Sequence, residues 1–328
     1  MIKAVLRRVC AIVCVTGAAT GYSCIALGQT YPSKVIRMVV AWPPGGAADV
    51  VARPTAQKLS EAMGQQVVVD NRGGATGTLG AGIVAKAPPD GYTLLLGTTN
   101  ELCMSPPLYA KLPYDPTVDF APISPIIVYP NVLAVNPALP VRTAKDLIAL
   151  AKARPGQINF ASGGLGSTNH LSAEVFKLLE KVNVNHVPYK GGGPALTDLM
   201  GGHVEAMFAT LPSAVNHVRS GKLRALLVTS ETRARALPNV PSAPEAGIPG
   251  LIVSTWSGML APAGTPRDIV LKLNAEILKL ARTEDMKSKM DALSADVYTT
   301  TPEEFATLIR HDFDLWSKVV KQSGAKAE

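Results

Sequence analysis

Short apolar runs alternate along this chain with longer amphipathic stretches, and glycine stands at many of the joints. Val35–Ala41 is apolar and β-branched and predicts a strand, which Pro43-Pro44-Gly45-Gly46 breaks. From Ala47 to Met63 the apolar positions Val50, Val51, Leu59 and Met63 fall at helical spacing. Further strands are predicted at Val67–Val69, Tyr92–Leu96, Ser124–Val128, Val132–Val135, Ile158–Phe160, Val184–Val187, Val204–Phe208 and Leu223–Val228. Helices are expected at Thr78–Ala87, at Thr143–Arg154 and over 168–181, 194–201 and 212–220. Thr143 followed by Asp146 is a helix-start signature. Pro266–Arg282 and Pro302–Val320 close the series, the second offering Phe305, Leu308, Ile309, Phe313, Leu315 and Trp316 to a core.

Strand–helix alternation of this kind predicts α/β sheets rich in parallel pairs. Two stretches carry no charge, Phe120–Val141 and Ala246–Pro266. Their many prolines and glycines break any spanning helix, so they read as short buried strands separated by turns. They are also where the chain is expected to cross between two domains. Residues 31–130 with 251–328 form the first, and 131–250 the second.

The 328 residues include 32 basic and 25 acidic side chains, a formal net charge of +7. Charged residues make up 17%, against about 25% in ordinary globular chains. Part of that imbalance sits at the amino terminus. Lys3, Arg7 and Arg8 precede an apolar stretch, and Ala26-Leu27-Gly28 supplies small residues for cleavage, the pattern of a secretory signal over 1–28. Gly21, three positions before Cys24, argues against a lipid anchor. Without those three basic residues the net charge falls to +4, and no cluster of Lys and Arg suggests nucleic acid. Cys10, Cys14 and Cys24 leave with the signal. Cys103 then remains alone, so no internal disulfide can form.

Catalytic and cofactor signatures are sparse. There is no P-loop, no G-x-S-x-G elbow and no metal spacing among His170, His186, His203, His217 and His311. No cofactor and no metal are expected. Gly80-Ala81-Gly82-Ile83-Val84-Ala85 loosely fits a dinucleotide fingerprint but falls inside a predicted helix. What recurs is the Gly-rich joint: Gly45-Gly46 before Asp49, Gly73-Gly74 with Gly77, Gly163-Gly164 with Gly166-Ser167-Thr168, and Gly191-Gly192-Gly193. Glycine lets the backbone approach a ligand, and the first turn of the following helix presents unpaired N–H groups. Such a site accepts a carboxylate without a charged side chain. A single joint could equally be a tight turn and nothing more; four of them point to a cleft.

The ordered motifs resemble a known family. Pro44-Gly45-Gly46 with Asp49 and Arg53 leads the series, then Val68-Val69-Asp70-Asn71-Arg72 and Pro89-Asp90-Gly91-Tyr92. Leu112-Pro113-Tyr114-Asp115-Pro116, Gly164-Leu165-Gly166-Ser167 with His170, and Val187-Pro188-Tyr189-Lys190-Gly191 follow. Gly221-Lys222-Leu223-Arg224 and Trp256 with Leu260-Ala261-Pro262 complete it. In this order they are similar to the Bug-type extracytoplasmic solute receptors, the substrate-binding components of tripartite tricarboxylate transporters.

The resemblance implies a type II periplasmic binding-protein fold, two α/β domains with a hinged cleft. It implies a monomeric periplasmic receptor that is no enzyme and hands a small organic carboxylate to integral membrane transporter subunits. The ligand would be a di- or tricarboxylate, an acidic amino acid or an aromatic acid. An exported enzyme on the same scaffold, with Cys103 or His170 as its candidates, and a sensory receptor are the alternatives.

The ligand-binding residues expected on these grounds are Trp42, Gly45, Gly46, Ala47, Ala48, Asp49, Gly77, Thr98, Thr99, Gly164, Gly166, Ser167, Thr168 and Gly191. Trp42 is either a cleft wall favouring an aromatic acid or a core residue. Thr98 and Thr99 can offer hydroxyls. Glu101 is expected to face solvent, because pointing inward it would repel an anion. Asp49 either complements its helix dipole and local N–H groups or touches the ligand. His170 is expected more as a packing residue than as a ligand contact.

Overall fold

The computed structural model describes residues 31–109 and 111–323. The chain divides into two units, Met1–Ser33 and Lys34–Glu328. The export signal expected over 1–28, with its three cysteines, lies outside the described residues; the fold described below is that of the second unit.

Parallel strands β1 (Ile36–Val40), β2 (Val67–Asn71) and β3 (Thr93–Thr98) begin the sheet. The apolar residues of β1 and β3 are buried, as strands covered by helices require, whereas Val68 of β2 is exposed. The chain then runs through β4 (Phe120–Val135), β5 (Asn159–Ser162), β6 (Asn185–Pro188), β7 (Ala206–Thr210), β8 (Arg224–Val228), β9 (Ser254–Pro262) and β10 (Asp296–Val297). The path of the ten-stranded sheet is β2-β1-β3-β9-β4-β7-β5-β6, with β8 and β10 also pairing to β4. Parallel pairs occupy both flanks, while all the pairs made by β4 and β9 are antiparallel.

Strand β4 corrects one expectation. In place of two short strands separated by turns, residues 120–135 form a single strand of 16 residues. Proline cannot donate to a ladder, and the strand accommodates its prolines with register shifts between Pro122 and Ser124 and between Pro125 and Ile127. Up to Pro130 the strand pairs with β9; from Asn131 it pairs with β7 and, from Val132, with β8. The sheet therefore has two halves joined through β4. Thr229 ties the returning chain to the same point, exchanging bonds with Asn131 and Val253.

The helices are α1 (Ala47–Met63), α2 (Thr78–Ala85), α3 (Ala144–Ala153), α4 (Thr168–Glu180), α5 (Gly192–Gly201), α6 (Leu211–Arg219), α7 (Arg267–Ala281), α8 (Glu284–Ala292) and α9 (Pro302–Ser323). The expected spans agree to within a few residues. Helix α8 and strand β10 were not anticipated, because their polar, short segments carry little apolar period. None of the described helices is long and apolar enough to cross a membrane. In α9, Phe305, Ile309, Trp316 and Val320 are buried at helical spacing, whereas Leu315 is exposed, contrary to its expected core role. Trp256 packs edge-on against Phe305 with centroids 5.0 Å apart, in the core of the first half. Phe160, Phe176 and Phe208 centre a core in the second.

Helix α3 starts with the expected capping box: Thr143 accepts from Asp146 N–H while the Asp146 carboxylate accepts from Thr143 N–H. Thr143→Ala is expected to cost about 1 kcal/mol. Equilibrium denaturation would show this as a lower midpoint at unchanged slope, and an unmoved midpoint would contradict it.

Candidate functional site

All four Gly-rich joints sit where a strand ends and a helical turn begins. After β1, Pro43 and Pro44 supply no N–H and end the ladder. Gly46 caps α1 without a side chain, leaving the N–H groups of Ala47, Ala48 and Asp49 with no intrahelical acceptor. The Asp49 carboxylate turns back on its own loop, accepting from Gly45 N–H at 3.1 Å and pairing with Arg53 at 2.9 Å. Burial tends to raise its pKa, but the Arg53 and Gly45 bonds outweigh this and hold it below the usual carboxylate range. It thus complements the first helical turn, and it lines neither of the two cavities between the joints.

The joint after β5 is built on histidines. Gly166 has φ +79°, in the left-handed region, and its N–H donates to His170 Nδ1 at 3.1 Å. Burial, then the neighbouring His186 and Lys177, push the His170 pKa down to about 3, so the ring stays neutral and keeps this lone pair. His186 stacks on His170 with centroids 4.2 Å apart and lies 2.6 Å from Ser162 Oγ. Ser162 Oγ in turn accepts from Gly164 N–H. Ser167 caps α4 by accepting from His170 N–H. His170 therefore shapes the loop from behind.

At the end of β3 the chain enters a single wide helical turn over Asn100–Met104, closed by Ser105 N–H on the Asn100 carbonyl. Glu101, expected in solvent, is fully buried there. Its carboxyl accepts from Thr98 N–H and Thr98 Oγ1, each at 2.6 Å, and from Trp42 Nε1 at 3.0 Å. Three converging donors make up for part of the lost hydration. Burial still pushes its pKa up to about 7, against the bonds that favour the ionised form. Gly77, at φ +89°, makes room for it: a Cβ there would lie 2.9 Å from the Glu101 Cβ. Cys103, in the same turn, is buried with its thiol 3.6 Å from the Ile309 carbonyl, and burial raises its pKa.

These joints enclose two cavities. The inner one, about 40 Å³, is lined by the α1 start at Gly46, Ala47 and Ala48 and by the α4 start at Ser167, Thr168 and Asn169. Trp42, Pro43, Thr98 and Asn100 add to one part of the wall, and Tyr129, Gly192 and Thr210 complete it. None of these carries a charge. The outer cavity, about 640 Å³, is lined by Gly77, Gly164 and Gly191 among others, with Lys190 its one charged residue. Trp42 belongs to both walls. Two hydrogen bonds link the halves beside them, Thr76 Oγ1 to the Leu165 carbonyl at 2.9 Å and Thr168 N–H to Asn100 Oδ1 at 2.6 Å.

Of the expected residues, Trp42, Gly46, Ala47, Ala48, Thr98, Ser167 and Thr168 thus line the inner cavity, and Gly77, Gly164 and Gly191 the outer. Gly45, Asp49, Thr99 and Gly166 line neither. Thr99 Oγ1 accepts from Trp256 N–H at 3.0 Å, which binds the turn to β9 and takes this hydroxyl away from the site. Of the inner lining, Pro43, Asn100, Tyr129, Asn169, Gly192 and Thr210 were not among the expected residues. Asn100 and Asn169 directly follow expected residues, and Thr210 ends a strand just before a helix, so position alone could have found these three. Tyr129 has no such signal; only β4's passage between the halves brings it here. No group of acidic, His and Cys side chains that could hold a metal occurs among the described residues.

Comparison with known proteins accounts for this arrangement. The model of the tripartite tricarboxylate transporter family receptor matches residues 51–325. Protein BugT of Bordetella pertussis is 38% identical over 322 residues, covering 98% of this chain and 99% of its own. The structure of R. palustris Rpa4515 with adipate superposes with a TM-score of 0.88 at 36% identity, over 90% of this chain and 99% of that one. MatC from Rhodopseudomonas palustris with bound malate gives 0.83 at 33% identity, over 88% and 100%. The fold is the α/β fold of the periplasmic binding proteins, and the chain belongs to the tripartite tricarboxylate transporter receptor family of solute-binding proteins.

Proposed function

We propose that this protein is a monomeric periplasmic receptor that captures a small organic carboxylate between the starts of α1 and α4 and presents it to integral membrane transporter subunits. The observation that carries the reading is the set of α1 first-turn N–H groups, without intrahelical acceptors, at a cavity whose lining holds no charged side chain. Charge-assisted bonds contribute roughly 1.5–3 kcal/mol each. Three of them with partial apolar burial approach the ~8 kcal/mol of micromolar binding. The adipate and malate held by the two R. palustris relatives support the ligand class.

Residues 31–130 with 251–328 make one lobe and 131–250 the other. The lobes hinge where β4 changes partners at Pro130-Asn131 and where the chain returns beside Thr229. Opening there widens the inner cavity, which at about 40 Å³ is small beside the ~300 Å³ of ordinary ligand pockets. An N-terminal signal cleaved near Gly28 delivers the chain. The protein acts without catalysis and without a cofactor. Cys103 is buried and held as the thiol, and His170 is committed to Gly166, so neither serves as a nucleophile or base.

Calorimetry of the mature protein against malate, adipate, benzoate and a neutral sugar tests this. At least one carboxylate should bind at micromolar Kd. Binding of the sugar with no response to any carboxylate would end the anion reading.

A further inference from the structure

The wall built from Trp42, Thr98 and Asn100 looks polar in sequence, yet the donors of Trp42 and Thr98 are already engaged. Trp42 Nε1–H and Thr98 Oγ1–H both point to Glu101 Oε2, and Thr98 N–H points to Glu101 Oε1. The Asn100 side-chain amide donates to Thr98 Oγ1 at 3.0 Å, and Asn100 Oδ1 accepts the Thr168 N–H. Donors thus run in one direction, from the α4 start through Asn100 and Thr98 to the buried carboxyl. An ionised carboxylate is acceptor-only and can terminate such a chain. A ligand carboxylate laid on this wall would meet no available donor from Trp42 or Thr98. It would also lie one hydrogen bond away from a like charge in a dry environment.

We propose that Glu101 is the specificity-determining residue of this receptor: by engaging the donors of Trp42 and Thr98 it reserves that wall for an uncharged ligand body and limits the inner cavity to a single carboxylate. The inference rests on the carboxylate reading above and narrows it to monocarboxylates, with the Trp42 indole as the apolar surface. Glu101 acts through Trp42 and Thr98 and is a positioning residue.

The groups that face Glu101 supply no positive charge to offset it. Tyr114, from the following loop, donates to its backbone carbonyl. Tyr129 of β4 and Cys103 of the same turn are held neutral by burial. Asp312 of α9, the helix packed on this turn, accepts from Trp256 Nε1 and helps to raise the pKa of the Cys103 thiol. Protonation of Glu101, whose pKa burial brings up to about 7, removes its charge and makes the wall less hostile to a second carboxylate.

The test is calorimetric titration of benzoate and adipate into the mature wild-type protein, Glu101→Gln and Glu101→Asp, at pH 8.5 and pH 6. Circular dichroism melts would establish that each variant is folded. The wild type should prefer benzoate at least tenfold at pH 8.5 and less at pH 6. Glu101→Gln should reduce that preference at least tenfold and make it insensitive to pH, while Glu101→Asp, which keeps the charge, should retain it. An equal loss for both ligands in Glu101→Gln would show a merely structural carboxyl and overturn the proposal. So would a wild type that favours adipate at pH 8.5, although the carboxylate reading would then stand. If neither those two acids nor malate bound while a neutral sugar did, both readings would fall together.

Discussion

Gly166→Val is expected to weaken carboxylate binding about a hundredfold while leaving the sheet folded. Two costs add at this position. The backbone sits at φ +79°, where a β-branched residue is strained by about 1–3 kcal/mol. A Cβ would also lie 2.1 Å from Leu108 Cδ1, on a buried side chain with little room to retreat. The loop must move, breaking the Gly166 N–H bond to His170 and displacing Ser167 and Thr168 at the inner cavity. A loss of about 3 kcal/mol in binding corresponds to that hundredfold. Titration calorimetry reads the effect directly, with thermal melting as the control for folding. Wild-type affinity in a folded Gly166→Val protein would remove the α4 loop from the binding site.

Gly80→Ala should have the larger effect on stability. A Cβ at this position would lie 2.7 Å from both the Ala41 Cα and the Arg72 carbonyl oxygen. Both are backbone atoms, so no rotamer change relieves the contact, and α2 must lift from the strand ends it covers. Overpacking of this kind costs up to about 3 kcal/mol. For a chain of this size that lowers Tm by roughly 6–10 °C in scanning calorimetry. A Tm within about 2 °C of wild type would show that the helix can shift freely. The same geometry explains why Gly80-Ala81-Gly82 resembles a dinucleotide fingerprint. Gly80 is there for helix–strand approach, and a Cβ at Gly82 would meet Pro113 at 2.9 Å.

Glu101 shows why site reading from sequence stops where it does. Its neighbours Thr98, Thr99 and Asn100 read correctly as a polar strand end. Nothing in that stretch reveals that Trp42, nearly 60 positions away, donates to the carboxyl, or that Gly77 leaves space for it. A charge at a strand end reads as solvated because burying one without donors is costly. The donors come from elsewhere in the chain, and only their convergence reverses the expectation. Asp49 is the opposite case. Its partners Gly45 and Arg53 both lie four residues away, so the local half of its two readings describes it.

What the sequence determined by itself was what short-range physics controls. The apolar period places α1 from Ala47 to Met63, the Thr143–Asp146 box starts α3, and prolines and glycines mark where strands give way to helices. Those features depend on backbone geometry and neighbours within a turn or two. The tertiary structure alone decided that β4 is one strand joining two halves of a sheet, and that seven of the expected residues share one cavity and four the other, Trp42 belonging to both. It also decided that the donors of Trp42 and Thr98 are turned to Glu101 and away from a ligand. Each of these outcomes rests on contacts between residues distant in the chain, such as Asn100 with Thr168 and Asn131 with Thr229. Such pairs exist only once folding has made up for the entropy of bringing them together.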